Sequence, residues 1–345
     1  MRFLITGGSG YVGGELKRSL LADAHECVNI DIEHDDDAHP NLLSVQGNIA
    51  HHDILAKLFA EHGPFDAIYH AAAQLQLTRK SRPLFYATNI HATKLLADNA
   101  VKHGVKNFIF ISSNCVYGKI NGLNIHEDTT LSPFEEYGRT KVESEKILQC
   151  YHDKMNVVTL RPPTIIGEGR LGILSIVFDF IRENRKLWLI GNGENRYQFI
   201  YCQDLINACK KAAAYNKSAT FNIGCDSIPT LNQLFQTVID KTSSQSKIYH
   251  LFPLIFVPAM KLCFKLGLSP LGPYQYNMIT NTFSGDTTKI KKELNWFPTK
   301  SNIEMLLDNY HYYVSHRDQI LNNKNLTGHR KIAKTGILSL IKWLS

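Results

Sequence analysis

Short apolar runs alternate with helix-period patterns from the first residues of the chain to about residue 160. Apolar runs rich in β-branched and aromatic residues predict strands, and these cover residues 3–6, 27–31, 43–46, 67–70, 107–112 and 157–160. Apolar residues spaced three and four apart predict the helices between them, at about 11–24, 54–61, 84–102 and 135–151. This alternation predicts an α/β fold, a doubly wound parallel sheet with helices on both faces.

The pattern becomes less regular after Arg161. Helical patterns at 173–183, 203–215, 231–241 and 303–315 are separated by short strands at 187–190, 199–201 and 220–223 and by a proline-punctuated stretch at 250–275. We therefore expect a smaller, mostly helical C-terminal substrate lobe. The predicted boundaries are 1–165 for the first domain, with later segments of about 186–224 returning to it, 166–315 for the interleaved lobe, and 316–345 for a basic tail.

Composition and charge argue against several classes of protein. Of the 345 residues, 44% are hydrophobic and 20% are charged, as in an ordinary globular protein. The net charge of +7 comes without a dense Lys/Arg run, so a nucleic-acid partner is not expected. The N-terminus lacks the pattern of a signal peptide. The longest apolar stretch, 251–268, contains two prolines and two lysines and does not read as a spanning helix.

The cysteines point to a reducing compartment. There are seven, an odd number, and none forms a CxxC pair. This pattern argues against both a disulfide framework and a zinc site, so we expect no metal and a cytoplasmic location.

A glycine-rich turn follows the first strand, with the sequence TGGSGYVG over residues 6–13. Gly7 permits a tight turn, Gly10 allows a close backbone approach to a pyrophosphate, and Gly13 allows the helix to pack close to the strand. Asp31 ends the second strand, where a carboxylate can bind an adenosine ribose and repel a 2′-phosphate. The pattern predicts an NAD site rather than an NADP site. The alternative is a tight turn without a ligand.

A tyrosine and a lysine four residues apart, Tyr137 and Lys141, share one face of a predicted helix. A tyrosine hydroxyl ionises near pH ~10, and a nearby ammonium favours its ionised form. With Ser113 at the end of the fifth strand, the pair predicts an acid/base site. Such pairs also occur by chance on surface helices, but the glycine turn and Asp31 make chance the weaker interpretation.

Taken together, these motifs resemble the extended branch of the short-chain dehydrogenase/reductase superfamily, the nucleotide-sugar epimerases and dehydratases. The resemblance spans roughly residues 1–313. Besides the TGxxGxxG spacing it rests on segments GNI at 47–49, HAAA at 70–73, NIHAT at 89–93, SSNCVYG at 112–118 and RPP at 161–163.

The resemblance implies roles for individual residues. The catalytic set would be Ser113, Tyr137 and Lys141. The NAD-binding set would be Gly7, Gly10, Tyr11, Val12, Gly13, Asp31, Asn48, Ile49, Ala71, Ala72, Ala73, Asn89, Tyr137, Lys141 and Pro163. Substrate contacts would come from Ser113, Asn114, Tyr117 and Arg196. The family also implies a homodimer formed through the helices predicted at 84–102 and 135–151.

Departures from the family pattern reduce the number of reactions expected of this chain. The family's dehydratases carry an Asp-Glu pair where this chain has Asn114-Cys115, so dehydration is not expected. An Arg-Asp pair of the family's UDP-galactose 4-epimerases falls on Tyr197-Gln198, with Arg196 one position away. The main hypothesis is an NAD-dependent epimerase of a nucleotide-activated sugar, acting at C4 through a keto intermediate.

Two other hypotheses remain open. One is an NAD(H)-dependent dehydrogenase or reductase of a sugar or a sterol-like alcohol, similar to 3-beta-hydroxysteroid dehydrogenases. The other is a cofactor-bound sensor without turnover, against which the intact catalytic set argues.

Two C-terminal segments are unusually apolar. Residues 251–272 suit either a lid over the substrate or a surface-seeking segment. Residues 334–345 place Ile337, Ile341 and Leu344 on one helical side beside lysines, which suits an interfacial helix and a peripheral position at the inner face of a membrane. Packing against the body or a partner subunit is the alternative.

Overall fold

Seven parallel strands form the central sheet of the computed structural model, which describes residues 1–75, 82–172, 174–266 and 272–322. In chain order the strands are β1 (Arg2–Thr6), β2 (Glu26–Asp31), β3 (Leu42–Gln46), β4 (Ala67–His70), β5 (Asn107–Ile111), β6 (Gly122–Ile125), β7 (Asn156–Arg161), β8 (Thr164–Ile166), β9 (Leu187–Ile190), β10 (Phe199–Tyr201), β11 (Ala219–Asn222), β12 (Ile248–Leu251) and β13 (Phe283–Gly285).

The order of the large sheet is β11-β7-β5-β4-β1-β2-β3, with every neighbouring pair parallel. The strand order reverses between β1 and β4, so the loops after these two strands leave the same edge in opposite directions and open a crevice. The predicted doubly wound parallel sheet is confirmed. All six strands predicted before residue 161 are present, within one residue at each end.

Helices cover both faces of this sheet. In chain order the helices of the described residues, in both halves of the protein, are α1 (Tyr11–Ala22), α2 (His52–His62), α3 (Arg82–Tyr86), α4 (Ala92–Lys102), α5 (Glu136–Gln149), α6 (Leu174–Arg182), α7 (Cys202–Ala213), α8 (Leu231–Lys241), α9 (Pro253–Lys265), α10 (Pro273–Thr280), α11 (Thr288–Leu294) and α12 (Asn302–Asn322). Buried residues of α1, α7 and α11 form one core cluster with the sheet, and those of α2, α4 and α5 form another on the opposite face.

The helix predicted over 84–102 is interrupted by a π-helical turn at Ala87–His91, between α3 and α4. A π turn widens the helix and releases backbone carbonyls from the regular ladder. Here the carbonyl oxygen of Asn89 accepts hydrogen bonds from the hydroxyls of Thr93 (3.0 Å) and Ser144 (2.5 Å). Residue spacing in the sequence carries no signal for such a turn.

The C-terminal lobe has a core of its own, built from α6, α8, α12 and three small parallel sheets, β8–β10, β9–β12 and β6–β13. Strands β6, β8, β12 and β13 are additional to the predicted strands. The segment 186–224 is expected to return to the first domain. Within it, β11 is a strand of the large sheet and α7 packs on that sheet, whereas β9 pairs with β12 outside it.

The proline-punctuated stretch forms α9 and α10. Among the described residues, no helix is long and apolar enough to cross a membrane. Helix α12 extends to Asn322, and the segment with Ile337, Ile341 and Leu344 lies outside the described residues.

Candidate active site

The glycine turn between β1 and α1 is too closely packed for larger residues. Gly7 has a φ of +77°, and a Cβ there would lie 2.8 Å from the backbone of Ala72. A Cβ on Gly13 would lie 2.2 Å from the carbonyl oxygen of Gly7. Gly10 is the N-terminal cap residue of α1, and it has no side chain to bond the first amides of the helix. An uncapped N-terminus of this kind is suited to bind a phosphate.

Asp31 lies directly beside this turn at the end of β2. Its two carboxylate oxygens accept the backbone N–H groups of Ser9 (3.0 Å) and Glu33 (3.1 Å). Arg18 lies near the acidic residues that follow Asp31, with its guanidinium 3.0 Å from the carboxylate of Asp37, and it also pairs with Glu15. The positive charge of Arg18 is therefore already compensated by carboxylates. Asp31 is then the charge at the turn that would distinguish NAD from NADP.

The loop after β4, which contains Ala71, Ala72 and Ala73, forms the other wall of the crevice. Asn89 fixes this loop, since its side chain accepts the N–H of Gln74 (2.7 Å) and donates to the Gln74 carbonyl (2.9 Å). Asn89 is 4% exposed, so the structure places it behind the loop.

Below the loop lies His70, which is hydrogen-bonded to the hydroxyls of Thr6 (2.7 Å) and Thr93 (2.9 Å). Burial, reinforced by the charge of Lys141, lowers the pKa of His70 to about 3. His70 therefore supports the loop above it as a neutral imidazole.

Other predicted cofactor residues lie around the same edge. Asn48 follows β3, and its side chain accepts the N–H of Ala50 (2.9 Å), while Ile49 is buried. Val12 is half-buried in the first turn of α1. Pro163 is buried next to Pro162, whose carbonyl accepts the N–H of Asn114 (2.9 Å).

Ser113 and Cys115 lie in a tight turn just beyond β5. The Ser113 hydroxyl oxygen caps the turn by accepting the N–H of Cys115 (3.2 Å). Helix α5 packs directly on this turn, because a Cβ on Gly138 would lie 2.6 Å from the Cys115 carbonyl oxygen. The glycine next to Tyr137 thus allows the helix to bring that tyrosine to the strand end.

Tyr137 and Lys141 are brought together as predicted, with the Lys141 nitrogen 5.7 Å from the centre of the Tyr137 ring. Burial, together with the charges of Cys115 and Glu135, raises the pKa of Tyr137, and Arg170 opposes this. Burial also lowers the pKa of Lys141 to about 8. Desolvation of the tyrosine itself is the largest cause of the rise in its pKa. The expected effect of Lys141 on that pKa stays a prediction.

Two charged residues of the site were missed in the sequence. The guanidinium of Arg170 lies 5.3 Å from the Tyr11 ring centre, and its charge acts on Tyr137 as well as on Tyr11. Arg170 therefore connects the glycine turn to the catalytic pair. The second is Glu135, which lies close to Cys115; burial raises the pKa of its carboxyl, and Cys115 opposes this. The only signals in the sequence are that Glu135 is close to Tyr137 and that Arg170 follows the segment of Arg161.

Tyr117 is not exposed to the crevice. Its side chain is fully buried, and its hydroxyl accepts a hydrogen bond from Arg161 (2.8 Å) and donates to Asn222 (2.7 Å). Arg161 also pairs with the buried carboxylate of Glu145 at 2.6 Å. The substrate contact expected of Tyr117 is therefore replaced by a supporting role in a buried network.

Arg196 has its hydrogen-bond partner outside the set of catalytic residues. Its guanidinium donates to the carbonyl oxygen of Ile228 at 2.6 Å. The next residue, Tyr197, reaches the site instead, since its hydroxyl accepts a hydrogen bond from the side chain of Asn114 at 2.8 Å. Successive side chains of an extended segment point to opposite sides, which accounts for the difference.

The crevice fits a dinucleotide. An uncapped helix N-terminus, a turn in which added Cβ atoms would clash, and a carboxylate at the end of β2 lie together at the point where the strand order reverses. Within the part of the chain that the structure describes, no group of three or more His, Cys, Asp or Glu side chains is arranged to hold a metal ion.

Comparison with known proteins is consistent with this geometry. The family model described as NAD dependent epimerase/dehydratase family matches residues 3–224. Protein y4nG of Sinorhizobium fredii is 32% identical over 342 residues, which cover 99% of this chain and 85% of that protein. The N-acetyl-alpha-D-glucosaminyl-diphospho-ditrans,octacis-undecaprenol 4-epimerase of Escherichia coli O157:H7 is 26% identical over 300 residues, which cover 84% of each.

Among solved structures, the UDP-glucose 4-epimerase of Thermotoga maritima with UDP-glucose superposes with a TM-score of 0.74. The two chains are 22% identical, and the match covers 92% of this chain and 100% of that one. The fold expected from the sequence motifs is thereby confirmed.

Proposed function

The chain belongs to the NAD dependent epimerase/dehydratase family, and we propose that it is an NAD-dependent epimerase of a nucleotide-activated sugar. The reaction would invert a ring hydroxyl, at C4, through a transient keto intermediate. Two of the relatives, from Escherichia coli and Thermotoga maritima, are 4-epimerases of a sugar attached to a diphosphate. The observation that carries the proposal is the convergence of Tyr137, Lys141 and the Ser113 turn beside the dinucleotide crevice.

In this proposal NAD, when bound, supplies a reversible two-electron oxidation of the carbon that bears the hydroxyl. Ser113 holds the sugar oxygen, and Tyr137 accepts the hydroxyl proton as the carbon is oxidised. The keto sugar then turns over in the site. Tyr137 returns the same proton to the oxygen when the carbon is reduced on its opposite face, so the cycle is balanced without external oxidant or reductant.

Positive charge is needed for Tyr137 to act as a base, since burial raises its pKa. Arg170 contributes such charge within the chain, and the Lys141 ammonium is held close to the ring. We infer that Lys141 also positions the nicotinamide ribose and that Asp31 binds the adenosine ribose. Asn89 and His70 act as positioning residues through the loop of Ala71, Ala72 and Ala73.

The test is a screen of UDP-, GDP- and dTDP-sugars with purified chain and no added cofactor. An epimerase retains NAD during purification and converts one sugar into its epimer without net NADH. Stoichiometric NADH release would favour the dehydrogenase alternative, and neither product would favour a sensor. The mass of each product is also measured to detect loss of water, because Glu135 places one carboxyl close to Cys115, where the family's dehydratases carry an acidic residue.

We also infer a homodimer through α4 and α5. Their outward faces carry charged side chains, including the Lys94–Asp98 ion pair at 2.7 Å and the exposed residues Arg139 and Glu143. Such a contact would be weakened by salt. Light scattering should therefore give a dimer at low salt that dissociates at high salt, and a monomer at low salt would contradict the inference.

The cysteines support a reducing cytoplasmic location. All seven lie in the described residues and carry free thiols, with five of them buried.

A further inference from the structure

Helix α9 presents a continuous apolar surface to the outside of the C-terminal lobe. None of its residues is buried. Leu254 is 91% exposed, Leu262 is 58% exposed, and the flanking residues Phe252 and Leu266 are 76% and 63% exposed. Single exposed apolar residues are common, but neighbouring ones on a single element mark a surface that meets an apolar partner.

The outward surface of α9 has two adjacent ridges. Ile255, Leu262 and Leu266 are spaced seven and four apart and form an apolar ridge. Leu254, Lys261 and Lys265 have the same spacing and form the ridge beside it. The helix therefore carries two ammonium groups along the edge of its apolar face, an arrangement that suits an interfacial helix.

The opposite side of α9 is attached to the protein. The Tyr276 hydroxyl of α10 donates to the carbonyl oxygen of Met260 at 2.9 Å. The Tyr276 ring meets the Phe264 ring edge-on, with 6.5 Å between their centres. Just before the helix, the carbonyl oxygen of Leu251 accepts the N–H of Gly191, which lies just beyond β9, at 2.9 Å. These contacts fix which face of α9 points outward.

The charge around α9 distinguishes the possible partners. Between Asp240 and Asp286 the chain has no acidic residue, but it has four lysines. A second copy of the chain that docked through the same face would bring Lys261 and Lys265 of both copies together, because a two-fold contact pairs a surface with itself. Anionic lipid headgroups would instead pair with these lysines while the apolar ridge enters the acyl boundary.

We propose that α9, with Phe252 and Leu266, lies in the surface of an anionic bilayer and holds the C-terminal lobe against it. The helix has 13 residues, about 20 Å in length, so it can lie in the interface but not cross it. The proposal is independent of the reaction, since it rests on the outer face of α9 alone.

The test is sedimentation of the full chain with vesicles. One set contains phosphatidylcholine and phosphatidylglycerol in equal amounts, and the other contains phosphatidylcholine alone. We expect binding to the anionic vesicles and much weaker binding to the neutral ones. Lys261→Gln/Lys265→Gln should weaken binding to the anionic vesicles by roughly ten- to thirty-fold, from the attraction of each lysine to an anionic surface.

Phe252→Glu/Leu262→Glu should weaken binding at least about tenfold, because two apolar side chains no longer leave water. The matched control is Leu43→Glu/Phe297→Glu, which changes two exposed apolar residues outside α9 and should bind like the original chain. Leu254→Ser/Leu266→Ser is a milder variant in case the glutamate pair fails to fold, and it should also weaken binding.

Three results would overturn the proposal. The full chain could fail to bind anionic vesicles. All three α9 variants could bind unchanged while truncation after Lys334 abolishes binding, which would assign the contact to the C-terminal segment. The chain could also form a dimer that Phe252→Glu/Leu262→Glu disperses, without vesicle binding, which would identify a second copy as the partner.

Discussion

The ammonium nitrogen of Lys141 lies 2.8 Å from the carbonyl oxygen of Ile111, the last residue of β5. This hydrogen bond joins helix α5 to the strand that leads into Ser113. The same nitrogen lies 4.6 Å from the centre of the Phe110 ring. A lysine that is 3% exposed thus holds together the two elements that carry the catalytic residues.

Lys141 should limit activity at alkaline pH. Its pKa is lowered to about 8 by burial, so the ammonium is present below that pH and is lost as the pH rises through it. We expect kcat/KM to fall above about pH 8. Lys141→Met should lower both kcat and NAD retention, and Lys141→Arg should shift the alkaline fall upward, since a guanidinium stays charged. The checks are pH profiles and cofactor content; an unchanged alkaline limb in Lys141→Arg would count against this assignment.

Asp31 should determine the choice of cofactor. Its carboxylate is held beside the glycine turn by the N–H groups of Ser9 and Glu33. Asp31→Ala should weaken NAD binding and reduce the discrimination against NADP, because a repulsive charge is removed. Calorimetric titration of both cofactors measures this, with Asp36→Ala as an exposed control. A preference of the unmodified chain for NADP would refute the role of Asp31.

Glu135 should tune the acidity of Tyr137. Its negative charge raises the pKa of Tyr137, so Glu135→Gln should lower that pKa and move the acid limb of kcat/KM to lower pH. The helix should survive, because Glu135 makes no side-chain cap to α5. Glu136→Gln is the neighbouring control; its carboxylate instead accepts hydrogen bonds from Tyr86 and Arg139. Equal pH profiles for the two variants would show that Glu135 does not act on Tyr137.

His70 should make the fold sensitive to acid. Burial lowers its pKa to about 3 in the folded protein, against an ordinary histidine value of 6.5. The stability that depends on a neutral imidazole is therefore complete above pH 6.5 and decreases as the pH falls towards 3. Between pH 6.5 and 5 this one group should cost about 2 kcal/mol of unfolding free energy. Urea unfolding of the original chain and of His70→Gln at both pH values measures the difference; equal losses in the two proteins would exclude His70 as the cause.

Much of the Rossmann half could be predicted from the sequence, because its signals are local. A buried strand such as β1 is a run of apolar residues, and Gly13 is required by a backbone contact with Gly7 inside the same strand–turn–helix unit. Gly7 is required by its positive φ and also by the backbone of Ala72, which lies in the loop after β4. The C-terminal lobe was less predictable. Its strands β6 and β13 are short and pair over a long sequence separation, so no periodic pattern marks them.

The positions of the site residues could be predicted from the sequence, but their pKa shifts and their burial could not. Tyr137 and Lys141 were found because helical spacing places them on one face. Their burial, which raises the pKa of the tyrosine, depends on how α5 packs on the Cys115 turn. Similarly, Tyr117 became a buried support because Arg161 and Asn222 arrive from distant strands, and these contacts leave no trace in the sequence.

The most direct test of the account is the rate of Tyr137→Phe on the sugar that the screen identifies. The variant keeps the aromatic ring but removes the group that accepts the proton. We expect kcat to fall by roughly 10²–10⁴-fold, as for the loss of a general base, while NAD is retained. Tyr151→Phe is the control on the same side of the sheet, since the hydroxyl of Tyr151 binds Asp98 at 2.6 Å, and it should keep its rate. Near-normal turnover by Tyr137→Phe would contradict the proposed mechanism.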